Sequence, residues 1–222
     1  MVDQGPDDGY QITRTSTVDQ VAGLLRTRIL RGELRPGTPL REITLAESMG
    51  VARNTVREGI RRLEAEGLVH HRIHRGAVVA TLDLQDVSEI FAIRRDVEAT
   101  ALERFPLGGI RELESAAEAM TALVPGGDPA RLIEADMHFH QLLVDSLGNS
   151  RVSAFFANTL AELRIVLCLV ETGDASRWVP LHLRFCELLA AGDRLEAIRL
   201  LCEHLDETEA LLAATVAEQP AG

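Results

Sequence analysis

Residues 51–79 read VARNTVREGIRRLEAEGLV and then, without a break, HHRIHRGAVV. The first run is a helical pattern and the second an arginine-flanked hairpin. At about 100° of rotation per residue, Arg53, Arg57 and Arg61 fall within roughly 80° of one another, while Val56, Ile60 and Leu63 gather on a neighbouring face. Such a helix, spanning Ala52 to about Ala65, can bury one side and offer the other to an anion. Gly50 and Val51 suit a tight turn after a short helix carrying Leu45, Ala46 and Met49, and Gly67 is a stop signal. Leu68 to His71 and Ala77 to Thr81 are short apolar, β-branched runs, the pattern of a small β-hairpin wing. Upstream, Val18, Val21, Leu25 and Ile29 recur at helical spacing up to Gly32 and the turn Arg35-Pro36-Gly37. Together these segments predict a winged helix-turn-helix.

Three arginines on one helix are commonly a solvated face, but the combination of turn, helix and wing favours DNA. Arg53 and Arg57 are expected to fork onto guanine O6 and N7, with Asn54 or Thr55 reaching an adjacent base edge. Arg72 and Arg75 on the wing and Arg41 at the entrance to the short helix suit phosphates or a narrow minor groove.

The run GELRPGTPLREITLAESMGVARNTVREGIRRLEAEGLV, followed by a wing ending RGAVV, resembles the DNA-binding domain of the GntR superfamily of bacterial transcription regulators over roughly residues 16–81. The resemblance implies operator contacts by Arg53 and Arg57 and a minor-groove approach at Gly76. Ala52 stands where serine or threonine is usual, Asn54 where threonine is common, and Gly59-Ile60 in place of Ala-Leu; these departures bear on which bases are read.

All 23 basic residues are arginine, and the chain of 222 residues carries a net charge of −11. Through residue 81 there are 12 arginines against 10 acids; the remainder has 11 against 24. The acidic half is therefore a poor surface for nucleic acid. No signal-like start and no apolar run of spanning length is found, so a cytoplasmic protein without a membrane partner is expected. Cys168, Cys186 and Cys202 are odd in number and lack C-x-x-C spacing, which reads as buried thiols rather than disulfides or a four-cysteine zinc site.

Residues 1–15 read as a disordered tail, 16–81 as the winged helix-turn-helix and 82–218 as a helical domain. Punctuation in the second half is clear: Pro106 after Phe105, Asp128-Pro129, Gly148, Asp174, and Gly192 followed by Asp193 with Glu196. Six helices result, and the expected fold class is mostly α: the N-terminal winged helix-turn-helix plus a C-terminal all-α antiparallel bundle.

Within that bundle Asp136 and His140 are four apart and share a helix face. His182 lies ten residues before Gly192 and His204 eleven after Asp193, so a tight antiparallel turn sets the two imidazoles level. One carboxylate and three imidazoles suit a divalent ion, zinc first and nickel second. Singly, each histidine would more often be packing or capping; His138, two residues from either neighbour, should point away and be exposed. Cys186, four after His182, reads as packing.

The segments DMHFHQLL, LGNS, PLH, EHL and IRRDVEA resemble the FCD ligand-binding domain that accompanies FadR-type members of the superfamily, over about residues 84–215. The resemblance implies that Asp136, His140, His182 and His204 are metal ligands and that Arg94 faces the cavity; six helices match the VanR branch. It also implies a small organic acid as effector, bound at or beside the metal, for which Arg94 or Arg164 offers a charge-assisted anchor. The expected function is that of a homodimeric, effector-responsive regulator bound to double-stranded operator DNA. A metal-dependent hydrolase fused to a DNA-binding domain is a competing reading, disfavoured because no general base of the H-E-x-x-H kind sits beside the ligands. A bundle that only dimerises is another.

Overall fold

The computed structural model describes residues 16–72, 76–126, 128–167 and 175–218. Helix α1, Thr17–Leu30, starts at a reciprocal cap: the Ser16 side chain accepts from the Asp19 amide and the Asp19 carboxylate accepts from the Ser16 amide, satisfying two otherwise orphaned donors. It buries Val21, Ala22, Leu25 and Ile29. Helix α2, Glu42–Met49, ends at Gly50 with φ of 63°, a left-handed turn that suits glycine. Helix α3, Arg53–Ala65, then buries Val56, Gly59, Ile60 and Leu63. Gly59 has a packing reason: a Cβ there would lie 2.9 Å from Val21 Cγ1, so α1 and α3 approach at a spacing set by the missing methyl group.

The wing pairs β1, Val69–Arg72, with β2, Gly76–Val79, antiparallel, from Val69 opposite Val79 to Arg72 opposite Gly76. Strand β1 begins one residue after the predicted start. The Leu68 amide is taken instead by the Leu63 carbonyl, at 2.9 Å, in closing α3. Strand β2 begins one residue early, at Gly76, whose φ is 69°. Arg75 and the predicted tail at residues 1–15 lie outside the described residues, as does Cys168.

Among the described residues the second half holds six α-helices: α4 Leu84–Arg104, α5 Ile110–Leu123, α6 Pro129–Asp145, α7 Ser150–Leu167, α8 Ala175–Ala190 and α9 Arg194–Ala217. Aspartates 83, 128 and 193 cap α4, α6 and α9 with their side chains. Helix α4 runs along α9, α5 lies against α6 and α8, and α6 packs on both α4 and α7. The fold class is the expected one: a winged helix-turn-helix joined to an all-α bundle. No described helix is long and apolar enough to cross a membrane.

Buried apolar side chains form two clusters. The larger lies inside the bundle and contains Phe91, Phe139, Phe156 and Phe185. The smaller joins α1, α3 and the wing, and it includes one residue from the second half, Ile165 of α7.

Candidate metal centre and DNA-reading face

Asp136 and His140 stand one turn apart on α6, as their spacing requires, and α8 and α9 bring His182 and His204 to the same level. One ligand atom from each of the four lies within 4.8 Å of those of the others. Asp136 Oδ1 is 3.0 Å from His182 Nε2 and 3.7 Å from His140 Nε2, distances that bracket the roughly 3.3 Å edge of a tetrahedron with bonds of about 2.0 Å. His140 and His204 are parallel at 5.7 Å between ring centres. His138 is exposed, on the other side of α6.

The polar atoms here support a metal site. Asp136 Oδ1 and His182 Nε2, 3.0 Å apart, bond each other only if that nitrogen carries a proton; with the proton on Nδ1, toward the Val179 carbonyl, both are buried acceptors without a donor, as is His140 Nε2 with its own proton toward Glu98, a costly arrangement unless a cation binds between them. The second nitrogens are occupied: His182 Nδ1 lies 3.3 Å from the Val179 carbonyl, and His140 Nδ1 lies 2.5 Å from Glu98 Oε2. Such partners fix a ring's orientation and turn its other nitrogen toward an ion. Phe139 and Phe185 stand edge-on to His182 at 4.7 and 5.6 Å, holding the ring by packing.

The buried charges are tightly coupled: burial lowers the His140 imidazole, but Glu98 and then Asp136 raise it above its ordinary value, so an ion must displace a proton there. Burial pushes the His204 imidazole down to about 3, aided by the His182 charge, so it stays neutral with a lone pair to donate. Burial alone would raise the Asp136 carboxyl, but His140 and His182 hold it well below the usual range. Glu98 follows the same logic: burial raises it, and the charges of Arg94 and His140 overcome that and keep it ionised.

Arg94 is 1% exposed and donates from Nε to Glu98 Oε1 at 2.8 Å. One edge of its guanidinium serves Glu98, while Nη2 is buried without a partner. Glu98 was missed as a functional residue. Its signal was an acid four residues after an arginine on a face otherwise made of Phe91, Ala101 and Leu102. Arg164 on α7 is farther from that role; its Nη2 lies 3.7 Å from Glu134 Oε2 at the surface, though its Nε is buried without a partner. Cys186 is buried among apolar residues, and burial pushes its thiol up to about 12, in keeping with packing.

On the other half, α3 presents Arg53, Asn54 and, partly covered, Thr55 and Arg57. Glu42, the first residue of α2, holds both arginines: Arg53 Nε donates to it at 2.7 Å, and Arg57 Nε and Nη2 donate at 2.9 and 3.0 Å. Arg61, expected on the same face, pairs with Glu58 instead. Arg41 is exposed at the head of α2. Arg72 is tied back by a 2.9 Å bond from Nη2 to Thr81 Oγ1. A side chain at Gly76 would meet nothing within 4 Å, so its positive φ is the local reason for glycine.

Comparison with known proteins agrees with both halves. Residues 17–79 match the family described as Bacterial regulatory proteins, gntR family, and residues 89–207 match the FCD domain. The Probable D-xylose utilization operon transcriptional repressor of Paenarthrobacter nicotinovorans is 30% identical over 205 residues, covering 88% of each chain. The Gluconate operon transcriptional repressor of Bacillus subtilis (strain 168) is 26% identical and covers 89% of this chain and 86% of its own. A solved structure of a GntR regulator from Rhodococcus sp. RHA1 superposes with a TM-score of 0.78 at 28% identity, covering 93% of this chain and all of that one. These relatives are transcription regulators, and among the described residues the buried acid Glu98 beside the ligands is engaged by Arg94 and His140. The chain belongs to the GntR family of DNA-binding transcription regulators, with an FCD domain as its second half.

Proposed function

We propose that this regulator holds a divalent metal ion, zinc by preference and nickel as the second choice, and that a small organic acid bound at or beside the ion changes its grip on operator DNA. The observation that carries this reading is the convergence of buried ligand atoms on Asp136, His140, His182 and His204, joined through Glu98 to Arg94, whose buried Nη2 has no partner. Three imidazoles and a carboxylate suit a borderline ion. Bound by these four residues, an ion that expands beyond four-coordination would offer a further position for a carboxylate. Arg94 Nη2 then gives the acid's second charge-assisted hydrogen bond, and Glu98 keeps both Arg94 and His140 in place. The gluconate relative makes sugar acids the first class to test.

In this reading residues 16–81 bind DNA and 82–218 sense the effector. Two copies form a homodimer that sets two α3 helices about one helical turn apart on a near-palindromic operator, and the protein works in the cytoplasm. Arg53, Asn54, Thr55 and Arg57 read bases, and Arg41, Arg72, Arg75 and Gly76 lie along the backbone or minor groove.

The test is a fluorescence-anisotropy titration of the metal-loaded protein against an operator selected from random duplex DNA, with a panel of mono-, di- and sugar acids. At least one acid should shift operator affinity fivefold or more, the lower end of about 1–3 kcal/mol of coupling, and chelator should abolish the shift. A panel that shifts nothing, with metal present, refutes effector control by this class. Arg57→Ala should weaken operator binding by about 1–3 kcal/mol, measured in the same titration. Arg94→Lys, which keeps a cation for Glu98 but loses the fork, should weaken acid binding about tenfold or more in calorimetry while leaving the metal content unchanged. Normal acid affinity in that variant removes Arg94 from the effector site.

A further inference from the structure

An acid on the face that meets phosphates is a liability, yet Glu42 sits between the two arginines expected to read bases. Its side chain is 23% exposed, against 56% for Arg53 and 39% for Arg57. The carboxylate thus lies behind the guanidinium groups rather than beside them. Its position at the first turn of α2 is favourable for a negative charge, and the hydrogen bonds from Arg57 and then Arg53 pull its carboxyl down to about 2, so it is ionised whenever the protein meets DNA.

Which edges it occupies matters more. A guanidinium has five N–H donors arranged along distinct edges. Glu42 takes the Nε side of both arginines, with Oε1 and Oε2 receiving Nε and Nη2 of Arg57 and Oε2 also receiving Nε of Arg53. The end-on edge formed by Nη1 and Nη2 can fork onto guanine O6 and N7; on Arg53 both nitrogens, and on Arg57 Nη1 and the second N–H of Nη2, take no part in the bonds to Glu42. Two long, flexible side chains on successive turns of α3 are thereby fixed by one anion, and one of their two charges is cancelled.

We propose that Glu42 is a positioning residue for base reading: it aligns Arg53 and Arg57 for guanine and, by neutralising part of their charge, weakens their attraction to phosphate in any sequence. This rests on the reading of α3 as the base-contacting helix. Pre-set side chains lose less freedom on binding, which strengthens the cognate complex; the reduced charge weakens the sequence-independent term. Both effects raise the ratio of specific to non-specific affinity.

The experiment compares full-length, metal-loaded wild type with Glu42→Gln and Glu42→Asp on two probes: an operator duplex selected by the wild-type protein from random DNA, and a scrambled duplex of equal composition. Glu42→Gln should bind the operator about tenfold more weakly and the scrambled duplex two- to threefold more tightly, with a steeper salt dependence on the scrambled duplex. Glu42→Asp keeps the charge but is too short to span both partners. It should weaken operator binding without the gain on scrambled DNA, which keeps the test decisive should Glu42→Gln fold poorly. Equal fold-changes on the two probes, or none, overturn the proposal, since a residue that merely supports α2 would move both together. Arg53→Ala and Arg57→Ala run alongside: if neither weakens operator binding, the base-contacting role of α3 fails; if either does and Glu42→Gln leaves the ratio intact, the role of Glu42 alone fails.

Discussion

Replacing His182 with alanine is expected to reduce bound metal from about one ion per chain to less than a tenth of that, read by elemental analysis of purified protein. The ring is fully buried, its Nδ1 is engaged with Val179, and its Nε2 is 3.0 Å from Asp136 Oδ1. Alanine removes a ligand that its ring neighbours do not replace: Phe139, Phe185 and Trp178 offer no lone pair for an ion, and His140 and His204 are themselves ligands of the same site. The same loss should show in stability. An ion present at a thousand times its dissociation constant stabilises the folded state by about 4 kcal/mol, which for a chain of this size corresponds to a Tm shift of roughly 8–16 °C. Chelator should therefore lower the wild-type Tm by about that amount and leave His182→Ala unmoved. His138→Ala, exposed on α6 between Asp136 and His140, is the control and should retain its metal. Equal metal content in His182→Ala and wild type would mean that the ion, if any, sits elsewhere.

Much of this site was legible because helices impose strict periodicities. Four-residue spacing places Asp136 beside His140, and the short turn at Gly192-Asp193 sets His182 level with His204. Caps were equally readable: Asp128 before Pro129 and Asp193 before Glu196 are local signals whose hydrogen bonds involve only neighbouring residues. What could not be read depends on which helix packs on which. Glu98 gains its role only because α4 lies against α6, and nothing local to α4 announces His140 as its partner. Glu42 is similar: the turn from α2 to α3 is visible in the sequence, but not that a carboxylate 11 and 15 residues before two arginines reaches both. The bond from Arg72 to Thr81, nine residues on, is another long-reach contact that the sequence does not announce.

Ile165 was hidden for the same reason, and it supports the second large expected effect. Helix α7 faces two cores at once: Leu163, Val166 and Leu167 pack inside the bundle, while Ile165, 2% exposed, joins Val56, Ile60 and Leu63 of the DNA-binding half, with Ala161 packed alongside. One turn earlier, Glu162 lies where any side chain at Gly67, the stop of α3, would have to be. Arg164, the lesser effector candidate, sits between the two contacts. A rigid helix shared by both cores is a physical route by which a change in the bundle can tilt α3. Ile165→Ala should therefore cost about 2–4 kcal/mol of stability, seen in denaturant unfolding, and should also shrink the acid-induced change in operator affinity toward unity. Linkage requires the reverse effect to shrink equally, so operator DNA should no longer alter acid affinity. Ile165→Val, at about 0.5–1.5 kcal/mol, should keep the coupling, and Leu195→Ala, at a position 83% exposed on α9, should change neither quantity. If Ile165→Ala is destabilised as expected yet responds to acid as wild type does, the coupling passes through some element other than α7, with α4, which follows the wing directly, the next to test.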